Sequence, residues 1–165
     1  MDTELRFVEV RADDKSRVIM GTLAPYGSEA VIGGEFRERI NAGALRWDDV
    51  TLNVQHDRGR LIARSGAGLS LVDGPSALEL RADLPPTRVA TDALEGVRAG
   101  LYRGLSVEMS VESDVWTRDG SLPLRTIERA VLHGAALVDR PAYVDAEIAA
   151  RAYADRYRRV PDFWL

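Results

Sequence analysis

Hydrophobic positions in the first half of the chain come in short runs, cut by Gly, Pro, Asn or Asp. Residues 5–10, 18–23 and 52–54 are such runs and predict strands. The run Leu69-Ser70-Leu71-Val72 stops at Asp73-Gly74-Pro75, and residues 78–84 then alternate apolar with polar. Together, residues 69–84 predict a hairpin with one solvated face. Pro85-Pro86 ends it. Val89, Ala93, Leu94, Val97 and Leu101 then recur at helical spacing, with Gly100 where a C-cap glycine belongs. Residues 44–49 predict a shorter helix, with Asn41 available as its cap.

Strand periodicity returns at residues 105–112. Leu105, Val107, Met109 and Val111 point to one face, and Ser106, Glu108, Ser110 and Glu112 to the other. Residues 130–138 are apolar on both faces, which predicts a central strand, and Asp119-Gly120 predicts the turn between the two. From residue 142 the period is helical: Ala146, Ala149, Ala150, Tyr153 and Tyr157 form a stripe opposite Arg151, Asp155, Arg156 and Arg158. No repeat or long linker divides the chain. The pattern predicts one α+β domain, mainly β. Residues 1–145 are expected to form a closed or nearly closed antiparallel β-barrel flanked by a few helices, and residues 146–165 a C-terminal helix or processed tail of the same domain.

Composition narrows the chemistry more than the fold. At 165 residues there is room for one sizeable core, and the 45% hydrophobic and 29% charged content is ordinary for a soluble protein. No apolar run approaches the roughly 18 residues of a membrane span, and the acidic N-terminus lacks a secretion-signal layout, so a cytosolic protein without membrane contact is expected. A net charge of −4 gives no overall basic field for nucleic acid. The absence of cysteine removes disulfides, thiolate metal sites and cysteine nucleophiles together. Only two histidines are present, His56 and His133. They are too few for a multi-histidine metal hydrolase, and any imidazole chemistry must use one or both.

Three segments place a reactive side chain in structured surroundings. Asn53-Val54-Gln55-His56-Asp57 puts a histidine at the end of a short strand, before a turn-prone Asp57-Arg58-Gly59. Gly100-Leu101-Tyr102-Arg103-Gly104-Leu105-Ser106 brings a serine into a strand just after a helix. Leu132-His133-Gly134 lies in the central strand that leads to Asp139-Arg140-Pro141. Acyl transfer by serine needs a base for the hydroxyl proton, a group that orients the base, and donors for the oxyanion. Ser106 is not in a Gly-x-Ser-x-Gly elbow, which disfavours an α/β-hydrolase. Taken singly, each residue also has a plainer reading: Ser106 as a solvated strand position, His56 as a turn residue, His133 as a satisfied core histidine.

The order of these segments resembles the prohead maturation proteases of tailed phages, relatives in fold of the herpesvirus assemblins. The resemblance runs from about Gly21 to about Ala146. Residues 34–45, from Gly34-Glu35-Phe36 to Gly43-Ala44-Leu45, are similar to the family's Glu–Phe, then Gly–Ala–apolar segment. Asn53-Val54-Gln55-His56-Asp57 resembles its Asn-x-x-His-Asp motif, and Gly100 to Ser106 its Gly-x-x-x-Gly-x-Ser segment. Ala136-Leu137-Val138-Asp139-Arg140-Pro141-Ala142 resembles its closing signature.

The resemblance implies Ser106 as nucleophile and His56 as general base. The third member departs from the pattern, because Gly134 stands where the family commonly has a glutamate. His133 is adjacent, and assemblins use a second histidine, so a Ser106–His56–His133 arrangement is expected, with Glu108 as the fallback orienting carboxylate. Two residues of one strand on successive positions face opposite sides, so His133 could serve only if the strand bulges or shifts. The resemblance implies Arg140, through its backbone N–H, as the oxyanion stabiliser; Arg103, next to the nucleophile, is the other candidate, with a surface arginine as its plainer reading. The implied activity is an endopeptidase inside the assembling prohead, in the host cytoplasm. It would cleave scaffold and major capsid protein segments and finally itself, with no cofactor and a homodimer as the working form. The competing class is a catalytically inactive capsid-assembly or scaffold component with the same fold.

Overall fold

The most apolar stretch of the second half of the chain forms its longest strand, and the rest of the sheet is arranged around it. The computed structural model describes residues 10–12, 16–118 and 120–139. In chain order these form strands β1 (Val10–Ala12), β2 (Val18–Pro25), β3 (Ala30–Ile32), β4 (Phe36–Ile40), β5 (Leu45–Arg46), β6 (Thr51–Val54), β7 (Asp57–Ser65), β8 (Gly68–Asp73) and β9 (Ala77–Asp83). Helix α1 (Arg88–Arg98) follows, then β10 (Gly104–Arg118) and β11 (Pro123–Val138). The C-terminal stripe expected to be helical, and Arg140 with it, lie outside the described residues.

β11 pairs antiparallel with β10 along one edge. Its other edge takes up β4, β5 and β6 in turn, all parallel to it. From β6 the sheet runs on through β7, β8, β9 and β2 to β1, and beyond β4 to β3. The expected antiparallel sheet is therefore mixed, and its hydrogen-bonded path runs from β1 to β3 without closing on itself among the described residues. The parallel pairings arise because β4, β5 and β6 are pieces of one ascending segment, each laid against a further stretch of the same long partner.

That arrangement also explains the helix predicted at residues 44–49, which is absent. Asn41 does not cap a helix; its carbonyl accepts from Ala44 N–H at 3.1 Å in a tight turn, with Gly43 at a φ of +72°. Ala44 O then accepts from Ala130 N–H at 2.8 Å, and Leu45 pairs with Ala130. The open edge of β11 offers this segment a full set of backbone partners, which outweighs its weak helical propensity.

The predicted hairpin at residues 69–84 is present as β8 and β9, with Leu69 opposite Ala82 and Leu71 opposite Leu80. Its apolar face joins Ile19, Leu52, Val54, Ile62, Leu94, Leu105, Ile127, Leu132 and Leu137 in the main core. Burying such side chains contributes about 1.5–3 kcal/mol each, before the entropy of ordering them.

Helix α1 begins where Thr87 accepts from Ala90 N–H at 3.3 Å, a side-chain N-cap. It ends as predicted at Gly100, whose φ is +72°. Gly100 N–H donates to Val97 O at 3.0 Å and Leu101 N–H to Gly96 O at 2.8 Å, the paired bonds of a Schellman motif. Ala90, Ala93, Leu94 and Val97 are the buried face.

At the distal end of the β10–β11 hairpin the strand interior holds a charge. Arg125 is 2% exposed. Its Nε donates to Asp114 Oδ2 at 2.6 Å and its Nη1 to Glu38 Oε2 at 3.2 Å. The guanidinium also lies 5.7 Å from the centre of the Trp116 ring, which meets Phe36 edge to face at 5.1 Å.

Candidate active site

Strand β6 ends in a two-residue turn, and that turn carries His56. Val54 pairs with Asp57, and Gln55 and His56 between them have φ of +56° and +57°. Two successive left-handed residues are the signature of a type I′ hairpin turn, a place that favours Asn-Gly. Here neither residue is glycine, and such backbone strain costs of order 1–3 kcal/mol per residue. The expected turn at Asp57-Arg58-Gly59 is instead the start of β7, where Asp57 Oδ1 accepts from Gly59 N–H at 2.8 Å.

Two contacts hold the strained turn against its neighbours. Gln55 N–H donates to Leu137 O at 2.8 Å, which extends the β6–β11 ladder past the end of the strand. His56 Nδ1 lies 2.8 Å from Glu108 Oε1, an ion pair whenever the imidazole is protonated. The side chains of His56 and Glu108 are 29% and 28% exposed, so the pair is reachable yet partly shielded.

Ser106 is brought to the same surface from the other side. After the Schellman motif the chain is pinned by Tyr102, whose ring packs on Gly96. A Cβ at that glycine would lie 2.5 Å from Tyr102 Cε2. Tyr102 OH also accepts from Arg60 Nη2 at 3.3 Å. Arg103 N–H then donates to Val138 O at 3.0 Å and β10 begins, with Ser106 opposite Ala136 and Glu108 opposite Gly134. Across β11, Ala136 lies opposite Asn53 and Gly134 opposite Thr51.

Residues in lateral register share a face of a sheet. Two rows therefore cross β10, β11 and β6 on one surface: Ser106–Ala136–Asn53 and Glu108–Gly134–Thr51. The alternate residues Leu105, Leu52, Val54 and Leu137 face the core. Ser106 and Glu108 are two positions apart along the strand, about 7 Å. Ser106 is half-buried, and its hydroxyl forms no hydrogen bond with another described residue.

With Nδ1 held by the carboxylate, His56 Nε2 has no hydrogen-bond partner among the described residues. This leaves a serine and a carboxylate-anchored imidazole on one face, parts that general-base catalysis of acyl transfer requires. In the first row Asn53 is 1% exposed, and its buried Oδ1 has no hydrogen-bond partner among the described residues.

His133 is placed elsewhere. The β10–β11 register steps from Glu108–Gly134 to Met109–Leu132, which makes His133 the extra residue of a β-bulge. The bulge turns it outward, so His133 is exposed and not a core histidine. Its Nε2 lies 2.8 Å from Ser110 Oγ. Among the described residues it makes no hydrogen bond to His56, whose Nδ1 is already taken by Glu108. Arg103 stands beside the nucleophile segment, exposed, with Nε donating to Gly100 O at 2.9 Å.

The Glu108–His56 contact crosses 52 residues, a pairing that sequence spacing does not encode. The available signal was the place of Glu108 on the Ser106 face, two positions on.

The family model described as caudovirus prohead serine protease matches residues 3–159. No curated protein and no solved structure matches the chain. The matched span takes in the His56 turn, the Ser106 strand and the whole described sheet, and the chain accordingly belongs to the caudovirus prohead serine protease family.

Proposed function

We propose that this chain is an active serine endopeptidase of Ser–His–Glu type, with Ser106 as nucleophile, His56 as general base and Glu108 as the carboxylate that orients the base. Family membership makes it a serine protease of phage capsid maturation, acting on capsid and scaffold proteins within the assembling prohead in the host cytoplasm. The observation that carries the residue assignment is the 2.8 Å contact between His56 Nδ1 and Glu108 Oε1, on the strand face that also bears Ser106.

In the proposed reaction Ser106 Oγ attacks the scissile carbonyl carbon, and its proton passes to His56 Nε2. Glu108 fixes the tautomer with the proton on Nδ1 and stabilises the imidazolium as it forms. The tetrahedral intermediate collapses, the amine leaves with the proton from Nε2, and an acyl-enzyme on Ser106 remains. Water, deprotonated by the same imidazole, then releases the acid product. The backbone N–H of Arg140 and the side chain of Arg103 are assigned to the oxyanion; the support is their place in the sequence, just past β11 and just before β10.

The proposed substrates are segments of the major capsid protein and the scaffold, and finally the chain itself, with a homodimer as the working form. The scaffold that presents the site is read as barrel-like, on the strength of its long path of paired strands. The test is incubation of purified protein with its capsid and scaffold subunits. Cleavage that disappears in Ser106→Ala supports the reading. Intact, folded protein that cleaves neither subunit nor itself defeats it.

A further inference from the structure

We propose that Gly134 is a positioning residue for the reaction: its missing side chain is the seat in which the Glu108 carboxyl meets His56. This rests on the protease reading above and concerns how that site is built.

Glycine in the interior of a long strand weakens it and often marks close approach of another group. Gly134 is not needed there for its backbone, because its φ lies outside the left-handed range in which only glycine is comfortable. What it supplies is space. A Cβ built on Gly134 would lie 3.0 Å from Glu108 Oε2, 3.3 Å from Glu108 Cδ and 3.3 Å from Thr51 Oγ1. The Glu108 carboxyl thus lies across β11 at the spot a side chain on residue 134 would fill.

Its other oxygen, Oε1, is the one 2.8 Å from His56 Nδ1. The carboxyl is wedged between the imidazole on one side and the Gly134 backbone on the other. To admit a methyl group on residue 134 the carboxyl must give by a few tenths of an ångström, while its other oxygen is held at Nδ1. The geometry also makes the seat reciprocal. A glutamate on residue 134 would start from a Cβ beside the present carboxyl and carry its own carboxyl two bonds further. One seat is therefore open to a carboxylate from either strand, and in this chain β10 fills it because β11 leaves it vacant.

The test follows the rate at which a fluorophosphonate probe phosphonylates Ser106, with thermal unfolding of each variant as the check on folding. In that reaction the Ser106 Oγ–phosphorus bond forms, fluoride leaves and the proton goes to His56. Glu108→Ala is expected to slow labelling about 10²–10⁴-fold, the range for loss of a group that serves the general base. Gly134→Glu in the Glu108→Ala background is expected to recover at least about 10-fold of that loss, which a merely structural glycine would not allow. Gly134→Ala is expected to slow labelling when Glu108 is present and to have no further effect when it is absent.

A folded double variant no faster than Glu108→Ala overturns the shared seat. So does a Gly134→Ala effect of equal size with and without Glu108, an arm that stays readable if the glutamate swap does not fold. In both cases a wild type that labels at Ser106 leaves the protease reading standing. A folded wild type that does not label at all removes both.

Discussion

His56 Nδ1 and Glu108 Oε1 lie 2.8 Å apart although β11 runs between the strands that carry them. The row Glu108–Gly134–Thr51 has no side chain at its middle position, and the Glu108 carboxyl lies against the place a Cβ on Gly134 would take. His133, the other candidate to orient the base, is directed to Ser110 by a bulge. The two are separated by substitution. Glu108→Gln should lower kcat by about 10²–10⁴-fold with little change in KM, because it removes the negative charge facing the imidazolium and unsettles its tautomer. His133→Ala should leave kcat within a few-fold of wild type. Steady-state cleavage of a capsid-subunit peptide measures both, and the reverse ranking would restore His133 to the triad.

Gly96 and Tyr102 connect the helix to the nucleophile. The ring of Tyr102 occupies the space above Gly96, and both Leu101 N–H and Tyr102 N–H approach Gly96 O, at 2.8 and 3.3 Å. Gly96→Ala would ordinarily favour a helix by about 0.5–1 kcal/mol. Here the added methyl must displace an aromatic ring three residues ahead of β10's second residue. The expected outcome is a net loss of about 1–3 kcal/mol, the overpacking range, with a fall in kcat. Chemical denaturation gives the first number, and a variant more stable than wild type would contradict the packing argument.

Arg125 bears on stability alone. It sits at the far end of the β10–β11 hairpin from Ser106, nearly inaccessible, between Asp114 and Glu38. Arg125→Ala leaves two carboxylates facing each other in a poorly solvated place and is expected to cost about 3–5 kcal/mol. Arg125→Ala combined with Glu38→Gln should cost less than the sum of the two single changes, because one of the two facing carboxylates is then neutral. Urea midpoints of the three variants decide it, and activity per folded molecule should be unchanged.

Tyr26 supplies a pH dependence with a defined sign. Burial pushes its hydroxyl up from the usual tyrosine range, and its hydrogen bond to Asp73 Oδ1 at 2.6 Å adds to the shift. A raised folded value means that the neutral phenol is favoured in the fold. The stability it contributes is complete below the unfolded value of about 10 and is lost progressively as pH rises above it. Tyr26→Phe should therefore be less stable than wild type at pH 7, by about 1 kcal/mol for the lost hydrogen bond, with a gap that narrows above roughly pH 10. A gap that stays constant up to pH 11, about one unit beyond that value, would refute the assignment.

Much of this architecture was legible in the chain, and the residues show why. β2, the β8–β9 hairpin and α1 follow from local pattern alone, because each has a clean period and its own punctuation, down to Gly100 at the helix end. β5 did not, since the choice between helix and strand at Leu45 is made by the exposed edge of β11, eighty-odd residues later in the sequence. The antiparallel expectation failed for the same reason: which strands β11 recruits is a question of lateral neighbours, which spacing does not encode. Within the site, Ser106 and His56 were visible as motif positions. The surroundings of His133 were not, because one bulged residue shifts every later side chain by a face, and nothing in Leu132-His133-Gly134 announces a bulge. Gly134 could be read from sequence only as a missing group; the space it leaves becomes visible once Glu108 is placed beside it.

The turn at Gln55–His56 limits how the chain can change in length beside His56. A connection of two residues between paired strands has no slack, so an insertion or deletion there would rotate the imidazole away from both of its neighbours at once. Length change near the site must be absorbed elsewhere, and the hairpin's distal tip around Gly120 is separated from it by most of β10. The fixed dimension thus lies at a two-residue turn, and the adjustable one at the far end of the long β10–β11 arm.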